Sequence, residues 1–153
     1  MKKLTKILCA AMAVMMTFAL SACSGGDSIP VIGINQYGEH PSLDNCREGF
    51  LQGLEEAGLV EGEDFTVDYQ NAGFDDTIAG DIASSFSANN VALMCGIATN
   101  SAVACYAAAE DKDIPVIFTA VSDPVQAKLD SGNITGTSDK LPVEAQLDLI
   151  RSI

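Results

Sequence analysis

Short, β-branched apolar runs alternate along this chain with longer stretches in which apolar residues recur every third or fourth position. Such alternation is the signature of strands and helices wound about a parallel sheet. Residues 29–35 (IPVIGIN) are almost continuously apolar, as a strand covered on both faces requires. A helix is predicted over 41–57, with Leu43, Cys46, Phe50, Leu54 and Ala57 on one stripe. Pro41 suits its first position, and Gly58 suits the left-handed stop. A second strand is predicted over 65–69, after which Asp75 or Asp76 can cap a helix carrying Ile78, Ile82 and Phe86 on one face. Residues 91–97 predict the third strand. An alanine-rich helix follows over 99–110, opened by Thr99, Asn100 and Ser101, each able to cap. The fourth strand spans 114–121 (IPVIFTAV), and Ser122-Asp123-Pro124 reads as the cap and first turn of a short helix ending near Leu129. A fifth strand is predicted over 133–137. From Pro142 onward, Val143, Leu147 and Ile150 keep helical spacing until Ile153.

Because crossovers between parallel strands are right-handed, this order predicts an α/β fold with an open, doubly wound parallel sheet of flavodoxin-like order 2-1-3-4-5. Ligands of such sheets sit beyond the carboxyl ends of the strands, where neighbouring connections diverge to opposite faces. Here those connections are 36–40, 71–73, 98–101, 120–124, and Ser138 with Asp139. The predicted ligand wall is therefore Gln36, His40, Thr99, Asn100, Ser101, Asp123, Ser138 and Asp139, in a crevice that opens between the first and third strands and sets Gln36 and His40 across from Thr99, Asn100 and Ser101. Free N–H groups and the positive dipole end near Thr99 suit a carboxylate, a role compatible with ordinary capping. Asp123 reads as a helix cap or as the partner of a ligand ammonium. His40, the only histidine, reads as a cap before Pro41 or as a ligand contact. Tyr37 can stack on a ring.

The amino terminus is an address. Lys2, Lys3 and Lys6 precede an apolar run over 7–20, the order that a secretion translocon reads. That run is shorter than the roughly 20 apolar residues of a membrane span. It ends in Leu20-Ser21-Ala22-Cys23, followed by Ser24-Gly25-Gly26, and the tetrapeptide resembles a bacterial lipobox. The resemblance implies removal of residues 1–22, acylation of Cys23, a tether over 23–28 and a folded domain over 29–153. Acyl chains contribute about 0.8 kcal/mol per buried methylene, enough in pairs to hold a soluble domain at a membrane. The expected location is outside the cytoplasm, anchored at the outer face of the cytoplasmic membrane or in the periplasm. An ordinary signal peptide ending in a cysteine is the alternative.

Charge narrows the partners. The net charge is −13, and removal of residues 1–22 would take three of the eight basic residues and none of the 21 acidic ones. The remaining basic residues are scattered, so nucleic acid, which requires a positive patch, is not expected to bind. Cys46, Cys95 and Cys105 read as small buried hydrophobes, with a Cys95–Cys105 disulfide the open alternative. With no C-x-x-C and a single histidine, neither a metal site nor another cofactor is expected. A flavodoxin-like phospho-receiver needs an acidic pair after the first strand and Asp after the third; Gln36-Tyr37 and Gly96-Ile97 stand there instead. No nucleophile elbow, dinucleotide turn or phosphate loop occurs, and an enzyme is not expected.

Further segments stand in a specific joint order. Glu39-His40-Pro41-Ser42-Leu43-Asp44 is followed by Arg47-Glu48-Gly49-Phe50 and by Asp68-Tyr69-Gln70-Asn71-Ala72. Then come Gly96-Ile97-Ala98-Thr99, residues 117–125 (IFTAVSDPV), Asn133-Ile134-Thr135-Gly136, and residues 142–150 (PVEAQLDLI). Together they resemble the ABC-transporter substrate-binding family that includes tryptophan- and tyrosine-binding lipoproteins, from about Ile29 to the last residue. The resemblance implies the first lobe of a type I periplasmic-binding-protein fold. It also implies a ligand gripped between two lobes and handed to an ABC permease, and a chain of roughly double this length. The ligand it favours is an amino acid, preferably aromatic. The same lobe feeding a receptor is the alternative. Leu141 departs from the pattern, since it stands where the family's last helix usually opens with Thr. The helix reaching Ile153 without Gly, Pro or a polar tail reads as a truncated frame, with the second lobe absent.

Overall fold

The computed structural model describes residues 29–152. The expected signal, Cys23 and the tether lie outside the described residues. The chain runs β1 (Val31–Gln36), α1 (Pro41–Glu56), β2 (Thr66–Asn71), α2 (Asp76–Ala88), β3 (Leu93–Ile97), α3 (Thr99–Ala109), a 3-10 turn (Glu110–Lys112), β4 (Val116–Val121), β5 (Ile134–Ser138) and α4 (Val143–Arg151). All five strands are parallel and lie in the order β2-β1-β3-β4-β5, the expected doubly wound sheet. β1 and β4 begin later than the apolar runs that announce them, because Pro30 and Pro115 have no N–H for the ladder. Each still lends its carbonyl: Thr66 donates to Pro30 at 2.9 Å and Met94 to Pro115 at 3.0 Å.

The connection from β1 runs outward to β2, and the next one returns across β1 to β3. Right-handed crossovers therefore place α1 on one face of the sheet and α2 with α3 on the other. Leu43, Cys46, Phe50 and Leu54 of α1 pack on Ile32, Ile34, Cys95 and Ile97. α1 itself buries no residue fully. The opposite face is drier: Ala83 and Phe86 of α2 and Cys105 and Ala109 of α3 close over Met94 and Val116. α3 lies so close to the sheet that a Cβ on Gly96 would stand 2.5 Å from the Ala102 Cα. This contact seats the first turn of α3 directly above the end of β3.

Residues 122–129 do not form the short helix that Ser122-Asp123-Pro124 predicts. Ala127 donates to the Asp123 carbonyl at 3.0 Å and Leu129 to that of Pro124 at 2.8 Å, but Lys128 turns left-handed with φ 59°. The segment is a compact turn that drops Leu129 into the core beside Ala102, Phe118 and Val121. α4 also buries no residue, and its Val143, Leu147 and Ile150 stripe is exposed. Cys46, Cys95 and Cys105 are free. Burial pushes the Cys95 and Cys105 thiols up to about 12, so both behave as small hydrophobes. Among the described residues no group of three or more potential ligands gathers for a metal, and no helix is long and apolar enough to cross a membrane.

Candidate functional site

The carboxyl end of the sheet divides into two sides. On the β1–β2 side the polar groups satisfy one another. Gln36 is fully buried, and its amide donates to the Gly38 carbonyl at 2.8 Å and to Asp44 Oδ1 at 2.9 Å. Its oxygen accepts from Arg47 Nη1 at 2.9 Å. Arg47 also pairs with Asp44 at 3.1 Å and lies 4.7 Å over the Tyr69 ring. The guanidinium is thus spent inside the protein. His40 caps α1, its Nδ1 accepting from the Ser42 N–H at 3.2 Å.

On the β3–β4 side the backbone is left open. No side chain caps α3, so the N–H groups of Thr99 and Asn100 remain for water or an anion, reinforced by the positive end of the helix. The cap residue Ala98 has φ 79° and ψ 159°, a region that is essentially glycine's and costs about 1–3 kcal/mol for other residues. Ala120, at the end of β4, is also left-handed at φ 55°. Strain therefore collects at the two strand ends where the open backbone lies. Thr99 shares an open depression of about 290 Å³ with Ser122, Asp123, Gln126 and Ala127. Asp123 Oδ1 accepts from the Gln126 N–H at 2.9 Å, as a turn cap does. Ser138 donates to the Ser122 carbonyl at 3.2 Å, and the Asp139 N–H reaches the Val121 carbonyl at 3.3 Å, which brings both beside Asp123. A larger depression of about 470 Å³, under Leu51, Leu59, Val60 and Phe65, lies at the opposite end of the sheet, by the start of β2.

Asp76 joins the two sides. Its Oδ1 accepts from Asn100 Nδ2 at 2.6 Å, in the first turn of α3, and from the Tyr37 hydroxyl at 2.8 Å, in the loop after β1. The bond from Asn100, then that from Tyr37, holds its carboxyl below the ordinary carboxylate range. The same bond to Asp76 raises the Tyr37 hydroxyl.

The expected wall residues thus separate. Thr99 and Asp123 share one depression, and Ser138 and Asp139 lie against the end of β4 that leads to Asp123. Ser101 is fully buried, its hydroxyl donating at 3.1 Å to Asn35, which in turn donates to the Ala79 carbonyl at 2.9 Å. Gln36 and Ser101 hold the loops in place and offer no side-chain atom to the crevice. His40 stands on the α1 side, and Tyr37 is the residue of its loop that reaches across to α3. Sequence reasoning missed Asp76 beyond its capping role, and it missed Phe74. The available signal was a large aromatic residue in the turn between Gly73 and the cap Asp75.

The model of the family described as ABC transporter substrate binding protein matches residues 31–153. A tyrosine-binding protein of Clostridioides difficile (strain R20291) is 43% identical over 128 residues, which cover 80% of this chain and 36% of the relative. The ligand-free, open structure of a substrate-binding protein with adhesive properties from Clostridium difficile superimposes with a TM-score of 0.75 at 42% identity, over 81% of this chain and 43% of that one. A Streptococcus pneumoniae ABC domain in complex with L-Trp gives 0.74 at 35% identity, over 82% and 44%. The chain spans less than half the length of each of these relatives.

Proposed function

Since the chain belongs to the ABC transporter substrate binding protein family, we propose that it is an extracytoplasmic solute-binding lipoprotein of an ABC importer. It carries an amino acid, with an aromatic side chain favoured, and performs no chemistry on it. Residues 29–153 supply the first of two ligand-gripping lobes, and Cys23 supplies the lipid anchor. The observation that carries this reading is the uncapped start of α3, with strained Ala98 behind it and Asp123 in the same depression. The ligand carboxylate accepts from the Thr99 and Asn100 N–H groups, and its ammonium donates to Asp123, beside Ser138 and Asp139. A positive helix end facing the carboxylate and an aspartate facing the neighbouring ammonium favour an α-amino acid zwitterion over a neutral solute. The names of the relatives point the same way, since one is a tyrosine-binding protein and another was solved with L-Trp.

Residues 29–153 tested by themselves supply half of the contacts, so the affinity of this lobe alone is expected at about the millimolar level. Thermal shift across the twenty amino acids tests the reading, because a bound ligand stabilises by RT ln(1 + [L]/Kd). Aromatic amino acids should raise Tm most. No shift with any amino acid up to solubility would sink the amino-acid assignment. Mass spectrometry of the membrane-bound form, with Cys23→Ser as control, tests the anchor. An unmodified Cys23 would reduce the amino terminus to an ordinary export signal.

A further inference from the structure

Phe74 and Tyr37 are not explained by the anion end of the crevice. Phe74 sits between β2 and α2 with φ 65°, a conformation that bulky side chains avoid, and it is 56% exposed. A large ring held in a strained loop and left to water costs stability twice. The position of the ring is nonetheless fixed. Its N–H donates to the Tyr37 carbonyl at 2.7 Å, and its ring meets that of Tyr37 edge to face, with centroids 5.8 Å apart and planes at 88°. Gly38 leaves room for it, since a Cβ there would lie 2.3 Å from the Phe74 ring atoms. Tyr37 is anchored in turn: its N–H donates to the Ile97 carbonyl at 3.1 Å and its hydroxyl to Asp76, which also holds Asn100. A chain of contacts therefore runs from the exposed ring to the first turn of α3.

We propose that Phe74 and Tyr37 form an aromatic wall at the β1–β2 side of the crevice that selects ligands carrying a planar ring. The inference rests on the amino-acid reading for the identity of the whole ligand, but the wall recognises the ring alone. Edge-to-face pairing leaves ring surface free for a third aromatic partner, which stacks or meets it edge-on. The strained loop and the hydroxyl bond to Asp76 hold the wall at a fixed place relative to the α3 N–H groups. Ring and carboxylate of one ligand are thereby measured against each other.

The test is saturation-transfer NMR of the purified protein with three probes: indole, L-tryptophan and L-leucine. Phe74→Ala removes the ring. Gly38→Ala keeps every side chain and displaces the ring, so the two variants fail to fold for different reasons if they fail at all. Both should weaken indole and tryptophan binding about two- to tenfold, the worth of one aromatic pair, and leave leucine unchanged. If indole falls in both variants while tryptophan never binds better than indole, the wall stands and the amino-acid reading fails. If indole does not bind the unaltered protein, or binds all three proteins equally, the wall is refuted, whatever tryptophan does.

Discussion

The two sides of the sheet's carboxyl end are built to opposite rules. Around β1 and β2, buried Gln36, half-buried Arg47 and Asp44, and the Tyr69 ring consume one another's bonding capacity. Around β3 and β4, α3 begins without a side-chain cap behind a strained Ala98, and Asp123 stands in an open depression. Polar groups that are already bonded rigidify the frame, whereas open N–H groups on a seated helix can be spent on a ligand. The contrast separates residues that build the crevice from residues that fill its mouth.

Substitutions can break that contrast, and the largest effect is expected where both functions meet. Gly96→Ala drives a Cβ into the backbone of α3. It should cost about 3 kcal/mol in chemical denaturation and weaken ligand binding as well, because the first turn of α3 is displaced. Stability close to that of the unaltered chain would mean that α3 is not seated by this contact. Gln36→Leu, on the saturated side, should cost about 2 kcal/mol by leaving the Gly38 carbonyl and the Arg47 fork short of partners. Its calorimetric Kd should hardly move; a large change would make Gln36 a ligand residue. Asp123→Asn should do the reverse, lowering amino-acid affinity about tenfold while melting within a degree or two of the parent, since asparagine caps as aspartate does.

Smaller effects sharpen the comparison. Ala98→Gly relieves the strained backbone and should raise stability by about 1 kcal/mol, the strain removed less the entropy added. An unchanged or lower midpoint would show that no strain is stored at that strand end. The least effect belongs to Asp76, which ties the two sides together. Its carboxyl is held below its ordinary 3.8 in the fold. The stability from its bonds to Asn100 and Tyr37 is therefore fully present above that pH and is lost as pH falls through the folded value. Asp76→Asn should flatten the acid limb of a stability profile below pH 3.8. A limb as steep as the parent's would locate the proton uptake elsewhere.

How much was legible depended on whether local chemistry had one outcome or two. The apolar runs at 29–35, 91–97 and 114–121 can be stabilised only by burial on both faces, and they became β1, β3 and β4. A cap at Asp75 or Asp76 was equally legible, because such a side chain needs only the next turn; Asp75 fills the place, accepting from Thr77 and Ile78. Ser122-Asp123-Pro124 was ambiguous in itself: Asp123 makes the same bond to Gln126 whether a helix or a turn follows. The pull of Leu129 into the core settled that choice. At the site, the strand order pointed to a crevice between β1 and β3, with Gln36 and His40 facing Thr99, whereas Thr99 shares its depression with Asp123 at the end of β4. The inward turn of Gln36 and Ser101 was not legible either, because their partners Arg47 and Asn35 are fixed by packing across elements.

The sequence by itself determined the alternation of strands and helices and the sheet order, since burial periodicity and right-handed crossovers leave little freedom. Only the tertiary structure decided which polar residues at the carboxyl end of the sheet are spent and which remain open. A side chain's hydrogen-bonding capacity is used up by neighbours that are distant in sequence, such as Asn100 and Tyr37 on Asp76, and spacing along the chain does not encode that competition.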